Sequence, residues 1–318
     1  ILIFWLMYRD IEWPKLIEAL KGLKYHWLIV SIVLGLLSQL SRALRWKLLM
    51  KPMGYNPALS NTFLSILVLY FVNLIVPRAG EVARCAVLTG TDRVPFTKLV
   101  GTVFIERLAD TLMLLILAIA IFAMNLEVVT RFFDLHPESL EKLRNLLSLK
   151  YIFLMGAIIL FLIWLFIFLR KKIKGSSKRE KIIALKNQIV EGMRSILNMK
   201  DKWLFIGHTC FIFLMWLFML YVVFLAYGPT HDLSVRTGMV VFLMGGLAML
   251  APIQGGIGPW HFMVAETLLL YGLEIQEGEI FALIAHTTTN LIYIVLGGSA
   301  LIFLIVKYGN KTIRLRSK

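Results

Sequence analysis

Long apolar runs, most of them near bilayer-crossing length, recur along almost the whole of this 318-residue chain. A helix needs roughly 20 mostly apolar residues to cross the hydrocarbon core. The runs fall at Ile1–Tyr8, Tyr25–Leu40, Ala58–Val76, Phe96–Met124, Tyr151–Leu169, Trp203–Tyr227, Val235–Leu250 and Glu279–Val306. With 59% apolar and 17% charged residues, the composition is far from that of a soluble domain. Backbone polar groups in lipid must be satisfied internally, and helices do this within one segment. The expectation is an all-α, polytopic helical membrane protein of about eight transmembrane helices, a single membrane domain over 1–318. ILIFWLMY reads as the tail of a first span, and no stretch between spans has room for a soluble catalytic domain.

Two segments break the pattern. The first, Pro77–Thr89, lies in NLIVPRAGEVARC, where three charges, a proline and a glycine follow an apolar run. The second, Pro252–Gly272, reads PIQGGIGPWHFMVAETLLLYG. Proline stops a preceding helix, and irregular backbone at membrane depth needs cover from protein or water. Both segments read as short Pro/Gly-led broken or re-entrant helices. The loop Arg170–Lys202 is strongly basic, which places it in the cytoplasm, and its apolar residues recur at helical spacing, as in an amphipathic helix on the inner leaflet; a solvated basic linker, as Gly175-Ser176-Ser177 suggests, is the competing reading. Arg42–Lys51 and the tail Lys307–Lys318 are basic too. These placements agree when each short segment counts as one crossing, as a short span or part of a broken helix. Both termini then lie inside. Residues 25–124 and 203–306 share the order span, span, Pro-led segment, span, in inverted orientation. Inverted repeats with paired interrupted segments point to a transporter whose site lies between the halves.

The chemistry-bearing residues cluster at these breaks. Arg78, Gly80, Glu81 and Arg84 occupy the first. Glu106, Arg107 and Asp110 follow about ten residues into the next run, with Glu106 and Asp110 on one helix face. A lone charge at the bilayer centre costs roughly 2.5–3.5 kcal/mol on insertion scales, so these must pair or face water or a polar ligand. Arginine suits phosphate or carboxylate; a structural ion-pair cluster joining helices is the competing reading. Gly255, Gly256 and Gly258 open the second short helix, where free N–H groups favour an anion but close packing also needs glycine. His286 and Asn290, with Thr287–Thr289 between them, make a polar patch that reads as interhelical hydrogen-bonding groups, with a ligand role as the alternative. Arg42, Arg45 and Trp46 read as an interfacial belt, with headgroup contact open. Two cysteines, Cys85 and Cys210, give no disulfide framework, and no HExxH or Walker motif is present, so no cofactor or metal is expected. The net charge of +15 is read as attraction of basic loops to anionic lipid headgroups, not as nucleic-acid binding.

RALRW (Arg42–Trp46), PRAGEVAR (Pro77–Arg84), FIERLADTLML (Phe104–Leu114) and PIQGGIGPW (Pro252–Trp260), in this order, resemble the transmembrane-region family of lysylphosphatidylglycerol synthases, also called flippase-like integral membrane proteins. The resemblance covers nearly the whole chain, which reads as a stand-alone member without the soluble synthase domain. It implies movement of a lipid between leaflets of a prokaryotic cell (inner or plasma) membrane. A membrane lipid is then the substrate, a separate lipid-synthesising enzyme a partner, and a homo-oligomer is compatible with the pattern. The implied site residues are Arg78, Gly80, Glu81, Arg84, Glu106, Arg107, Asp110, Gly255, Gly256 and Gly258. In this reading the chain is not an enzyme. Two alternatives stay open: an intramembrane lipid-modifying enzyme using Glu81 or Glu106, and a secondary transporter of a small anion.

Overall fold

The computed structural model describes residues 12–125, 187–194, 196–197, 199–249 and 253–316. Residues 12–121 and 189–316 belong to one compact unit, which carries everything below; 122–125 and 187–188 belong to a second. The expected runs Ile1–Tyr8 and Tyr151–Leu169, Pro252, and most of the loops at 125–150 and 170–202 lie outside the described residues. Among the described residues the secondary structure is helical, without strands.

A short helix α1 (Trp13–Lys21) precedes α2 (Tyr25–Met50), which runs from one end of the unit to the other. At the first end, the Lys24 N–H donates to the carbonyl of Ala226, the last residue of α6 (Lys202–Ala226), at 3.0 Å. At the second end, Lys51 pairs with Asp201, just before α6, at 3.0 Å. α2 and α6 are therefore antiparallel, and they pack along their length. The seam on α2 is a buried stripe at Ser31, Gly35, Ser38, Arg42, Arg45 and Leu49, spaced by four and three residues. Small residues let two apolar helices approach and exchange hydrogen bonds. The Ser31 hydroxyl donates to the Met219 carbonyl (2.8 Å), and the Trp216 indole donates to Ser38 (3.0 Å).

α3 (Leu59–Ile75) starts at the second end, and α4 (Gly80–Asp92) returns there. The Asp92 carboxylate accepts from the Ala58 N–H and from Asn61, both at 3.0 Å, closing the foot of the pair. These helices form a re-entrant hairpin. At about 1.5 Å per residue, α3 reaches about 25 Å inward, short of a ~30 Å hydrocarbon core. The tip turns at Val76–Ala79, with Arg78 at φ 63°. Gly80 then packs so tightly against α3 that a Cβ would strike the Leu69 carbonyl and Asn73, while its N–H donates to Asn73 Oδ1 (2.8 Å). α5 (Phe96–Met124) follows.

A second hairpin enters from the first end. α7 (Val235–Ala248) runs inward and α8 (Pro259–Leu269) comes back, with a turn at Gln254–Gly256 between them. α9 (Ile275–Ile292) then starts at the first end, where Lys15 of α1 donates to Gln276 (3.0 Å). A π-helical segment, Tyr293–Gly297, joins α9 to α10 (Gly298–Arg316). Tyr308 reaches Asn61 at the foot of the first hairpin (3.2 Å), so the composite helix ends at the second end. The two hairpin tips meet: the end of α3 packs on the Gln254–Gly256 turn, and a Cβ on Gly255 would press on Leu74 at 3.0 Å.

Tyr25–Met53, Phe96–Met124, Lys202–Ala226 and Ile275–Tyr308 are long and apolar enough to cross a membrane; Leu59–Ile75 and Val235–Ala248 are shorter. Two expectations are refined. Each Pro-led segment pairs with the run before it as a hairpin that returns to its own side, which leaves the parity of the crossings unchanged. The helix expected to stop at Leu40 continues to Met50.

Candidate functional site

Five of the sequence-predicted residues converge in one buried network. Glu106 on α5 is fully buried and stands at its centre. Its Oε1 lies 3.0 Å from Arg45 Nη2, 3.4 Å from Arg42 Nη2 and 3.8 Å from Arg107 Nη2; its Oε2 lies 2.8 Å from Arg84 Nη2. Asp110, one turn along, takes Arg45 Nη1 at 2.6 Å and Arg107 Nη2 at 3.0 Å. Glu81 lies 2.6 Å from Arg84 Nη2 and 3.4 Å from Arg107 Nε. The i, i+4 and i, i+3 spacings on α5 and α4 put these charges on facing helix surfaces.

Four guanidiniums thus face three carboxylates, leaving one positive charge in excess. Arg42, Arg45 and Arg84 are essentially out of solvent, whereas Glu81 is partly exposed and the Arg107 side chain is 43% exposed. The network therefore opens on the Glu81–Arg107 side. Arg84 stacks over Trp46 at 4.4 Å. Its Nη2 contacts are close but poorly aligned as hydrogen bonds, so they act as charge–charge contacts, and among the described residues its Nε and Nη1 have no hydrogen-bond partner. Buried arginine donors usually find acceptors, so these two are available for an anion. Arg45 is held further by Thr209 of α6 (3.1 Å), and Trp46 donates to Thr102 (2.8 Å).

Arg42, Arg45 and Trp46 correct the interfacial-belt expectation: all three are buried and the two arginines belong to the network. The reason is the continued α2 stripe, which carries position 45 onto the α5 and α6 side instead of outward. The signal was present in the sequence, since Arg42 and Arg45 extend the Ser31, Gly35, Ser38 spacing. Arg42 also donates to the Tyr70 hydroxyl, and Tyr70 stacks on Tyr293 of the π segment at 4.2 Å. Tyr293 accepts from Gln39 at 3.1 Å. The network thereby touches α3 and the composite last helix.

Arg78 stands on the exposed tip of the first hairpin. Gly80 serves the tight α3–α4 contact. Gly255, Gly256 and Gly258 build the tip of the second hairpin, where positive φ values of 57°, 73° and 102° favour residues without a Cβ. A neutral cluster surrounds them. His286 Nε2 donates to the Gly255 carbonyl (2.8 Å) and its Nδ1 accepts from Asn290 (2.9 Å), a pattern that uses an uncharged imidazole. His261 accepts the Gly258 N–H at 3.3 Å and meets His286 edge to face at 4.4 Å, with Trp260 5.1 Å from His286. Among the described residues no three His, Cys, Asp or Glu side chains gather to hold a metal.

Fold and site define a multi-pass helical membrane protein with two re-entrant hairpins and a buried arginine–carboxylate network. The chain belongs to the family described as lysylphosphatidylglycerol synthase TM region, whose model matches residues 1–297. A UPF0104 membrane protein of Methanocaldococcus jannaschii is 32% identical over 152 residues, 47% of this chain. That match spans 43% of the relative's own length. No solved structure matches the chain.

Proposed function

We propose that this chain moves a phosphate-bearing lipid between membrane leaflets, without changing it covalently. The observation that carries this reading is the excess positive charge at membrane depth, together with the two unpartnered donors of Arg84. The excess charge belongs with the half-exposed Arg107, on the open side of the network, where an anion can meet it. A phosphate monoanion balances it and accepts charge-assisted hydrogen bonds from arginine N–H groups of the network. Arg78 and Arg107 reach the headgroup first, on the exposed side. Glu81, Glu106 and Asp110 hold the arginines in place. The lipid's hydrocarbon chains stay in the bilayer.

In this proposal residues 25–124 and 203–306 are inverted halves, each contributing one hairpin, and alternate opening of the hairpins exposes the seat to either side. The second end, with Lys47, Lys51, Lys200, Lys202 and Lys307, faces the cytoplasm of a prokaryotic cell. Membership of a family named for lipid synthesis supports a lipid substrate.

The test is headgroup accessibility in proteoliposomes, with labelled anionic and zwitterionic lipids quenched in the outer leaflet. Wild type should transfer a phosphate-bearing lipid, and Arg78→Ala should slow transfer at least about tenfold, the loss of one charge-assisted contact of about 1.5–3 kcal/mol. Wild-type transfer by Arg78→Ala would remove that residue from the seat. Lipid of altered mass after incubation would overturn translocation in favour of an intramembrane enzyme.

A further inference from the structure

A groove that shares no residue with the charged network lies at the foot of the first hairpin. There the opening turns of α3 and the second and third turns of α10 enclose a groove of about 340 Å³, lined by Ser60, Asn61, Phe63, Leu64, Phe303 and Lys307. Its walls are apolar and its mouth carries one cation. The Lys307 ammonium sits 5.3 Å from the Phe303 and Tyr308 ring centroids, and among the described residues no carboxylate pairs with it. Aromatic faces hold an ammonium in place without neutralising it. Across the mouth, the exposed Ser60 lies in the first turn of α3, where backbone N–H groups have no intrahelical acceptor. Beyond the groove, α10 presents Ile302, Ile305 and Val306, all more than half exposed. In a membrane-crossing helix that surface faces lipid.

We infer that this groove binds a phosphate-bearing anionic lipid, distinct from the lipid that is moved: the phosphate on Lys307 and Ser60, a hydrocarbon tail along Phe63, Leu64 and Phe303. Charge decides the occupant. An apolar groove on the lipid face is always filled by lipid, and an unpaired ammonium at its mouth selects an anionic headgroup over a zwitterionic one. The site also has a mechanical position. Tyr308 donates to Asn61, and Asn61 donates to Asp92, so α10, α3 and α4 are tied together directly beside the groove. A lipid wedged there braces the foot of the hairpin whose tip carries Arg78. The inference does not depend on what, if anything, the chain transports.

The experiment is native mass spectrometry of the detergent-solubilised full chain, titrated with phosphatidylglycerol, phosphatidylcholine or inorganic phosphate. Wild type should retain phosphatidylglycerol in preference to phosphatidylcholine and bind inorganic phosphate negligibly. Lys307→Gln should weaken phosphatidylglycerol about fivefold, the share of one lysine near a membrane surface. Leu64→Trp fills the groove but keeps the charge, and should weaken it at least as much. Wild-type retention by Leu64→Trp would overturn the groove, reducing the effect to surface charge. Equal retention of both lipids by the wild type would overturn the headgroup assignment, and tight binding of inorganic phosphate would overturn the commitment to a lipid. Lys307 is exposed, so its variant keeps the fold; an unchanged melting temperature without added lipid checks this.

Discussion

The two hairpins share a layout and differ in chemistry. Each brings an apolar helix inward, turns at membrane depth and returns to its own end. At the first, the surroundings are ionic: three buried arginines, one half-exposed arginine and three carboxylates from α2, α4 and α5. At the second they are neutral: two imidazoles, an indole and an amide grouped around glycine carbonyls and amides. The tips are close enough for Leu74 to touch Gly255. A shared layout thus carries two chemistries, an ionic network beside one hairpin and a neutral, backbone-bonded cluster at the other.

The largest test of that contrast is Glu106→Ala. It strips the common acceptor from Arg42, Arg45 and Arg84 and leaves buried charge uncompensated, which should cost about 3–5 kcal/mol. Thermal unfolding in detergent reads it, and a loss below about 1 kcal/mol would mean that the arginines are solvated. Gly80→Ala comes next. The new Cβ meets backbone and a short amide, and overpacking of this kind costs about 1–3 kcal/mol. Gly256→Ala at the other tip meets the flexible Met249 side chain, so its cost should come mainly from φ 73°. If Gly80→Ala proved the milder of the two, the first hairpin would not be the tightly closed one. Third, His286→Phe should cost about 1–2 kcal/mol by leaving the Gly255 carbonyl without its donor, and the loss should be the same at low and high salt. A salt-dependent loss would mean that the second cluster carries charge after all. The smallest effects belong to the hairpin feet. Tyr308→Phe should cost about 0.5–1.5 kcal/mol at the first foot, and Lys15→Ala less than about 0.5 at the exposed contact beside the second. Equal values would erase the difference between the feet.

Much of this was legible from residue order. Apolar run length gave the helices, because in lipid the backbone has few other solutions. Pro77 and the glycines of 255–258 marked both turns. The convergence of Glu81, Arg84, Glu106, Arg107 and Asp110 followed from the cost of unpaired charge at depth. The role of Arg42 and Arg45 was harder to read, because an arginine near the end of an apolar run has the same local signature whether it reaches the interface or turns inward. Only the stripe running back through Ser38, Gly35 and Ser31 separates the two. The return of the first Pro-led segment onto the preceding run, instead of a crossing, is closed by Asp92 reaching Ala58 and Asn61. Such a long-range closure leaves no periodic trace.

The π-helical segment has a consequence for symmetry within one helix. An α-helix advances about 100° per residue, so a residue's worth of widening re-phases everything beyond it. Before Tyr293–Gly297, α9 turns Gly278 to the backbone of Ala265 on α8 and His286 to the second tip. At its last residue, Gly297 lies against the Leu67 carbonyl of α3, and beyond it Ala300 and Leu304 pack with Leu67 and Val68. One continuous rod therefore presents a different azimuth to each hairpin. Returning the segment to plain α-helix would slide the two faces out of phase, so that the rod fits one hairpin at the expense of the other.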